Sequence, residues 1–291
     1  MTRILVKEKI AKRGVELLEE EFEVDYEPDM KREELLKRMG EYDALIVRSG
    51  TKVDADIIKA GKNLKVIGRA GVGVDNIDVE AASKRGIMVI NAPQSNIISA
   101  AEQTMALLCS MCRNLPEAVS SLRQGAWERK KFEGVELYHK VMGILGLGRI
   151  GMLVAHRCQA FGMQVIAYDP YVSKERAQKA GVELVSELGD LLEQADFITV
   201  HLPKNPETYH MLGKKEFAKM KDGVRVLNVA RGGVIDEKAL LKALDSGKVA
   251  GAGLDVFEEE PATESPLIDH PKVVATPHLG ASTQEAQDRA G

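Results

Sequence analysis

The stretch Gly146-Leu147-Gly148-Arg149-Ile150-Gly151 constrains this chain more than any other. It follows the apolar run Val141–Leu145, which reads as a buried strand, and it opens Ile150–Phe161, whose spacing predicts a helix. Glycines in this pattern say little alone. Between a strand and a helix they predict a turn that aims backbone N–H groups at a pyrophosphate. Gly146 permits the tight turn, Gly148 lets the ligand approach the backbone, and Gly151 lets the helix pack closely on the strand. A second apolar run, Gln164–Tyr168, ends at Asp169, 21 residues after Gly148. A carboxylate there would accept hydrogen bonds from both ribose hydroxyls and repel a 2′-phosphate, so the expected cofactor is NAD rather than NADP.

Strand-like and helix-like segments alternate through the rest of the chain. Ile4–Val6, Ala44–Val47, Val66–Gly68 and Met88–Ile90 read as strands of a first unit, interleaved with helical Lys9–Glu20, Lys31–Gly40 and Ala55–Ala60. A second series runs through Val141–Leu145, Gln164–Tyr168, Phe197–Val200, Val224–Asn228, Ala252–Asp255 and Val273–Thr276. Such alternation predicts an α/β fold of two doubly wound parallel-sheet domains. The expected division is a flavodoxin-like substrate domain at 1–96, with 285–291 beginning a return to it, and a Rossmann NAD-binding domain at 97–284. The run Ile97–Leu115 reads as one long helix serving as an arm. The fingerprint lies only in the second unit, which puts the nucleotide there, leaves substrate contacts to the first, and makes the crevice between them the expected reaction site.

Composition narrows the function classes. Across 291 residues the net charge is −4, so no global basic field argues for nucleic acid. No apolar run approaches the roughly 20 residues of a membrane span, and no signal-peptide layout opens the chain. Three cysteines give no disulfide framework, which makes the cytoplasm the expected compartment. Cys109 and Cys112 form a CxxC inside an apolar helical pattern with no second ligand pair, so they read as core residues and no metal is expected.

Ligands of parallel sheets bind at the C-terminal ends of the strands. Arg231, Glu260 and His278 fall just past three such ends in the second unit. An arginine can hold a carboxylate with two parallel hydrogen bonds and polarise the adjacent carbonyl. A histidine titrates near neutrality and can move a hydroxyl proton. A neighbouring carboxylate orients its ring and favours the imidazolium. Together the three suit hydride transfer to or from a 2-hydroxy acid.

With these residues in place, the chain resembles the D-isomer-specific 2-hydroxyacid dehydrogenases. Five stretches carry the resemblance in the family's order: Gly146–Gly151, Val200–Pro203, Asn228–Gly233, Leu254–Pro261 and Thr276–Gly280. The resemblance implies that Arg231 and His278 are catalytic, with Glu260 supporting His278. It implies an NAD site lined by Gly146, Gly148, Arg149, Ile150, Gly151, Asp169, His201, Leu202, Pro203, Ala230, Asp255, Gly280 and Ala281, with Asp255 near the nicotinamide carboxamide. Gly68–Asn76, Trp127–Phe132 and His278–Thr283 are most like the members that oxidise a phosphorylated substrate. By that likeness the reaction is oxidation of 3-phosphoglycerate to 3-phosphohydroxypyruvate, the first step of serine synthesis.

The same likeness surrounds the substrate with Arg48, Ser49, Arg69, Val72, Gly73 and Asn96. It also implies that Arg129, Lys130 and Lys131 reach it from a neighbouring subunit, so a homodimer or homotetramer is expected. Trp127 would anchor that interface. A dianionic phosphate needs concentrated positive charge, which these basic residues would supply. The alternatives are a glyoxylate or hydroxypyruvate reductase of the same class and a non-catalytic NAD-sensing interaction protein. Family members fold a last helix back onto the first domain, and this chain ends where that helix would begin, so it reads as part of a longer protein.

Overall fold

The computed structural model describes all residues from Met1 to Gly291 and divides into two compact units, Met1–Ile97 with Ala281–Gly291 and Ile98–Gly280. In the first, β1 (Arg3–Val6), β2 (Glu23–Tyr26), β3 (Ala44–Val47), β4 (Val66–Arg69) and β5 (Met88–Asn91) form a parallel sheet in the order β2-β1-β3-β4-β5. This is the flavodoxin-like order. Alternate side chains go to opposite faces: Leu5, Leu45 and Val47 join one apolar cluster, while Ile4, Val6 and Ala44 join another. Both faces are therefore covered, as a parallel sheet requires.

The second unit holds β6 (Val141–Leu145), β7 (Gln164–Tyr168), β8 (Glu183–Leu184), β9 (Phe197–Val200), β10 (Val224–Asn228), β11 (Val249–Leu254) and β12 (Val273–Ala275). Their order, β12-β11-β10-β9-β6-β7-β8, reverses direction between β6 and β9, the Rossmann arrangement with its ligand crevice at the switch point. Two apolar clusters sandwich this sheet as well, one around Leu145, Val226 and Leu254 and one around Met142, Ile144 and Leu227. Cys112 and Cys158 are buried in the second of these, where burial pushes their thiols up to about 11 and about 12.

Three expectations need correction. The first sheet has a fifth strand, β2, whose Glu23 and Tyr26 are solvent-exposed at the sheet edge, so its sequence lacks the apolar signature of the buried strands. The second sheet has seven strands rather than six, because the two-residue β8 is too short to show a pattern. The helix expected over Ile97–Leu115 ends at Cys112, and a second, unexpected helix, Leu115–Arg123, follows it. Asn114 turns the chain with a left-handed φ of 50°, and Pro116 sits in the first turn of the second helix, where its missing N–H costs no hydrogen bond.

Several helices begin on a side-chain cap: Asp54, Asp78, Ser173, Asp236 and Thr283 each accept a backbone N–H of the first turn. The helix Arg149–Ala160, which the glycine turn opens, has Gly148 at its cap and no side-chain acceptor. Its first-turn N–H groups are left for something else.

Candidate active site

The glycine turn has the shape its sequence predicts. Gly146 sits at φ 90°, where only glycine is unstrained. A Cβ on Gly151 would strike the Gly146 carbonyl oxygen, so the helix lies directly on the turn. A Cβ on Gly148 would meet no protein atom within 4 Å. The space before this helix is open, its N-terminus carries a positive dipole end, and Gly148 and Arg149 are exposed there. These features fit a dinucleotide pyrophosphate.

Asp169 follows β7 and holds the turn from the other side. Its Oδ2 accepts the Leu147 N–H at 2.8 Å and its Oδ1 accepts the Tyr171 N–H at 2.9 Å. Each oxygen keeps a second lone pair for ribose hydroxyls. After β9, the His201 N–H donates to the Leu145 carbonyl at 2.8 Å, and a Cβ on Gly146 would come within 2.8 Å of Leu202. The His201–Pro203 segment thus forms a wall beside the glycine turn. Burial pushes the His201 imidazole down to about 4, so it is neutral near pH 7, and its Nε2 lies 3.1 Å from Thr199 Oγ1.

Arg231, Glu260 and His278 follow β10, β11 and β12, which are adjacent in the sheet. Buried Asn228 shapes the first loop, accepting the Ala230 N–H at 3.0 Å and donating to the Arg231 carbonyl at 2.9 Å. In the second loop Glu260 Oε1 accepts the Phe257 N–H at 3.0 Å. Its Oε2 lies 2.7 Å from His278 Nδ1, which donates to it. The third loop holds His278 in a left-handed conformation, φ 56°.

Asp255 fixes that third loop. It is fully buried, its Oδ1 accepts the Thr276 hydroxyl at 2.6 Å and the Leu279 N–H at 2.7 Å, and its Oδ2 accepts the Gly280 N–H at 2.7 Å. The position assigned by resemblance to the nicotinamide carboxamide therefore grips the histidine loop. Gln103 adds a hydrogen bond to Thr276 Oγ1 at 3.1 Å.

The electrostatics follow the geometry. The hydrogen bond that His278 donates to Glu260 raises the imidazole pKa above its ordinary value; burial opposes this, and the charges of Glu260 and Asp255 add to it. Burial would push Glu260 up, but His278, the Phe257 N–H and the Arg231 charge outweigh it and hold the carboxyl below its ordinary range. The result is an oriented imidazole beside a carboxylate, with a guanidinium acting on both.

Close backbone approach joins the first two loops. A Cβ on Gly232 would run into the Phe257 carbonyl and come within 2.7 Å of the Glu258 nitrogen. Neither Gly232 nor Asn228 stands out as a site residue in the sequence, where both belong to a longer motif. The loop packing makes them matter.

In the first unit, Arg48 and Ser49 follow β3, and Glu8 organises their loop. Its carboxylate accepts the N–H groups of Arg48, Gly50 and Thr51 at 3.0, 3.0 and 2.8 Å. Arg69 ends β4 and lies across Gly71. The Val72 carbonyl accepts from Asn91 Nδ2 at 2.6 Å, which fixes the loop that continues to Gly73. Asn96 Oδ1 is buried with no hydrogen-bond partner. Arg129 and Lys130 belong to the other unit, on the exposed 3-10 turn Arg129–Phe132. The same unit ends at Gly280, and Ala281 begins the return segment of the first.

Residues 105–280 match the D-isomer specific 2-hydroxyacid dehydrogenase family, NAD binding domain. The chain belongs to this family, and that span is its NAD-binding domain. It is 52% identical to the D-3-phosphoglycerate dehydrogenase of Methanocaldococcus jannaschii over 291 residues, covering 100% of this chain and 56% of the relative. The chain thus spans about half the length of the curated relatives it matches. Among solved structures, a glyoxylate reductase from Paecilomyes thermophila aligns with TM-score 0.89 at 36% identity, covering 99% of this chain and 92% of that one. The D-lactate dehydrogenase of Aquifex aeolicus, solved with NAD and lactic acid, aligns with TM-score 0.82 at 29% identity, covering 99% and 92%.

Proposed function

We propose that the chain carries NAD-dependent oxidation of 3-phospho-D-glycerate to 3-phosphohydroxypyruvate, the step that commits carbon to serine. NAD, held by the glycine turn and Asp169, supplies the hydride acceptor. Arg231 grips the substrate carboxylate and, in the reduction direction, polarises the adjacent carbonyl. His278 uses Nδ1 for Glu260, so Nε2 is the nitrogen that takes the hydroxyl proton during oxidation and returns it during reduction. Glu260 stabilises the imidazolium formed in that step. Arg48, Ser49, Arg69, Val72, Gly73 and Asn96 hold the rest of the substrate, with Arg129 and Lys130 contributed by a second subunit.

The observation that carries this reading is the 2.7 Å pair between His278 Nδ1 and Glu260 Oε2 across the loops after β12 and β11, with Arg231 on the loop after the neighbouring β10. The likeness to D-3-phosphoglycerate dehydrogenases supports the phosphorylated substrate. A second reading, reduction of an unphosphorylated 2-oxo acid, is favoured by the glyoxylate reductase likeness. NADH formation from 3-phosphoglycerate, D-glycerate and D-lactate decides between them. Preferred turnover of 3-phosphoglycerate, lost selectively in Arg69→Ala, supports the first reading; turnover of the unphosphorylated acids alone overturns it.

The chain acts as a homodimer or higher homo-oligomer in this proposal. The helix Leu115–Arg123 buries none of its residues, and Leu115, Val119, Leu122 and Trp127 are exposed along this region. Sedimentation of a 31.8 kDa species alone would contradict it. A reducing cytoplasm suits the three free cysteines, and no helix is long and apolar enough to cross a membrane.

A further inference from the structure

The loops that carry Arg231 and Glu260 meet a third segment, which contains His210. The His210 N–H donates to the Gly233 carbonyl at 2.7 Å, two residues past Arg231. Its side-chain Nε2 lies 2.9 Å from Glu258 Oε1, two residues before Glu260. Since that partner is a carboxylate, Nε2 carries the hydrogen. One residue therefore ties both loops, by its backbone to the first and by its ring to the second.

Glu258 is held tightly in this arrangement. Its N–H donates to Glu237 Oε1 at 2.6 Å, and its Oε1 also accepts the Glu237 N–H at 3.1 Å. Asp236 caps the same helix through the Ala239 N–H at 3.0 Å, and its Oδ2 lies 3.9 Å from His210 Nδ1. The His210 ring stacks on Tyr209 with centroids 4.0 Å apart, which sets its plane. The region is crowded with acids: burial raises the Glu237 pKa, and the like charges of Glu258, Glu259 and Glu260 raise it further. An acidic loop of this kind needs a donor to hold it against the helix.

His210, Asp236 and Glu258 are close enough together to suggest a metal site. Two features argue against it. The carboxylates sit at the start of the helix Glu237–Asp245, bound to its N–H groups, where the dipole disfavours a cation. The two ring nitrogens also face different acids instead of one point.

We propose that His210 is a positioning residue that struts the Arg231 loop against the Glu260 loop and so fixes how Glu260 meets His278. The proposal rests on Glu260 and His278 being the proton-transfer pair. Glu260 and Asp255 face His278 with negative charge and Arg231 with positive charge. Loosening Glu260 therefore weakens the main support of the imidazolium. Reduction needs that imidazolium, and activity falls as pH rises through its pKa. Loss of the strut moves this alkaline limb to lower pH.

The test uses the whole 291-residue chain, NADH and 3-phosphohydroxypyruvate, with kcat and KM measured across pH for wild type, Glu260→Gln, His210→Asn and His210→Gln. His210 has φ 52°, a conformation that asparagine tolerates, so His210→Asn keeps the backbone while its side chain is too short to reach Glu258. Glutamine places an amide N–H about where Nε2 sits. Glu260→Gln should lower the alkaline limb by about one pH unit, the scale of an adjacent opposite charge. His210→Asn should lower it by about half as much and so reduce kcat by up to about threefold on that limb, with KM for NADH unchanged, and His210→Gln should restore both. A mere loss of stability would not move the limb. A limb that shifts in Glu260→Gln but stays at its wild-type pH in His210→Asn overturns the strut and leaves the proton pair standing. A limb unmoved in Glu260→Gln removes the pair and the strut with it.

Discussion

Gly232→Ala is the most direct test of how the loops proposed to carry the reaction are assembled. The added methyl would run into the Phe257 carbonyl and lie 2.7 Å from the Glu258 nitrogen, whereas ordinary van der Waals contact begins at 3.4 Å. The loop carrying Glu260 must therefore retreat by at least 3.4 − 2.7 = 0.7 Å, and further at the carbonyl. Glu260 Oε1 is bonded to the Phe257 N–H, so the carboxylate moves with the backbone and its 2.7 Å contact with His278 is strained or lost. A misplacement of about 1 Å in a reacting constellation costs roughly 10²-fold in rate. Overpacking of this kind also costs about 1–3 kcal/mol of stability. The glycine turn lies on other strands, so NADH binding should stay within about twofold of wild type, a bound set by locality of the perturbation. Steady-state kinetics with NADH-fluorescence titration and thermal melts separate these effects. A folded Gly232→Ala variant with wild-type kcat would show that the approach of these loops does not set the catalytic geometry.

His278→Gln keeps a polar side chain but cannot move a proton, so kcat should fall by about 10²-fold or more with NADH affinity retained, as steady-state assays and fluorescence titration would show. Asp169→Ala removes the proposed ribose acceptor and the two backbone contacts of the turn, so the ratio of kcat/KM for NAD over NADP should fall; an unchanged ratio contradicts the assignment. Asp255→Asn places an amide where three donors now find carboxylate oxygens. One donor then faces another donor in the interior, which costs about 1–3 kcal/mol. Thermal melts should drop by several degrees, and kcat should fall because the His278 loop loses its anchor.

Much of the fold is written in local patterns. The buried strands β6, β7, β9 and β10 are short apolar runs bounded by turns, legible because parallel strands hide both faces. The strands that escaped, β2 and β8, lie at sheet edges, where exposed positions admit charge and the pattern fades. The end of the helix at Cys112 is also encoded locally, by Asn114 and Pro116, but the apolar spacing continues across it. The side chains proposed to carry the reaction were legible as polar residues just past strand ends. Their supports were not: Gly232, Asp255 in its grip on Thr276 and Gly280, and His210 all act across loops far apart in the chain, while Asn228 acts within its own loop through hydrogen bonds that its residue type alone does not announce.

Sequence alone thus determined the nucleotide turn, the alternation of strand and helix, and the residue types available for hydride and proton chemistry. Each of these depends on neighbours a few residues apart, where backbone sterics and side-chain periodicity act. Tertiary structure decided the pairing of His278 with Glu260 and the loops that hold them. Those contacts join positions 18 or more residues apart through strand order, and strand order becomes visible only when the sheet is assembled.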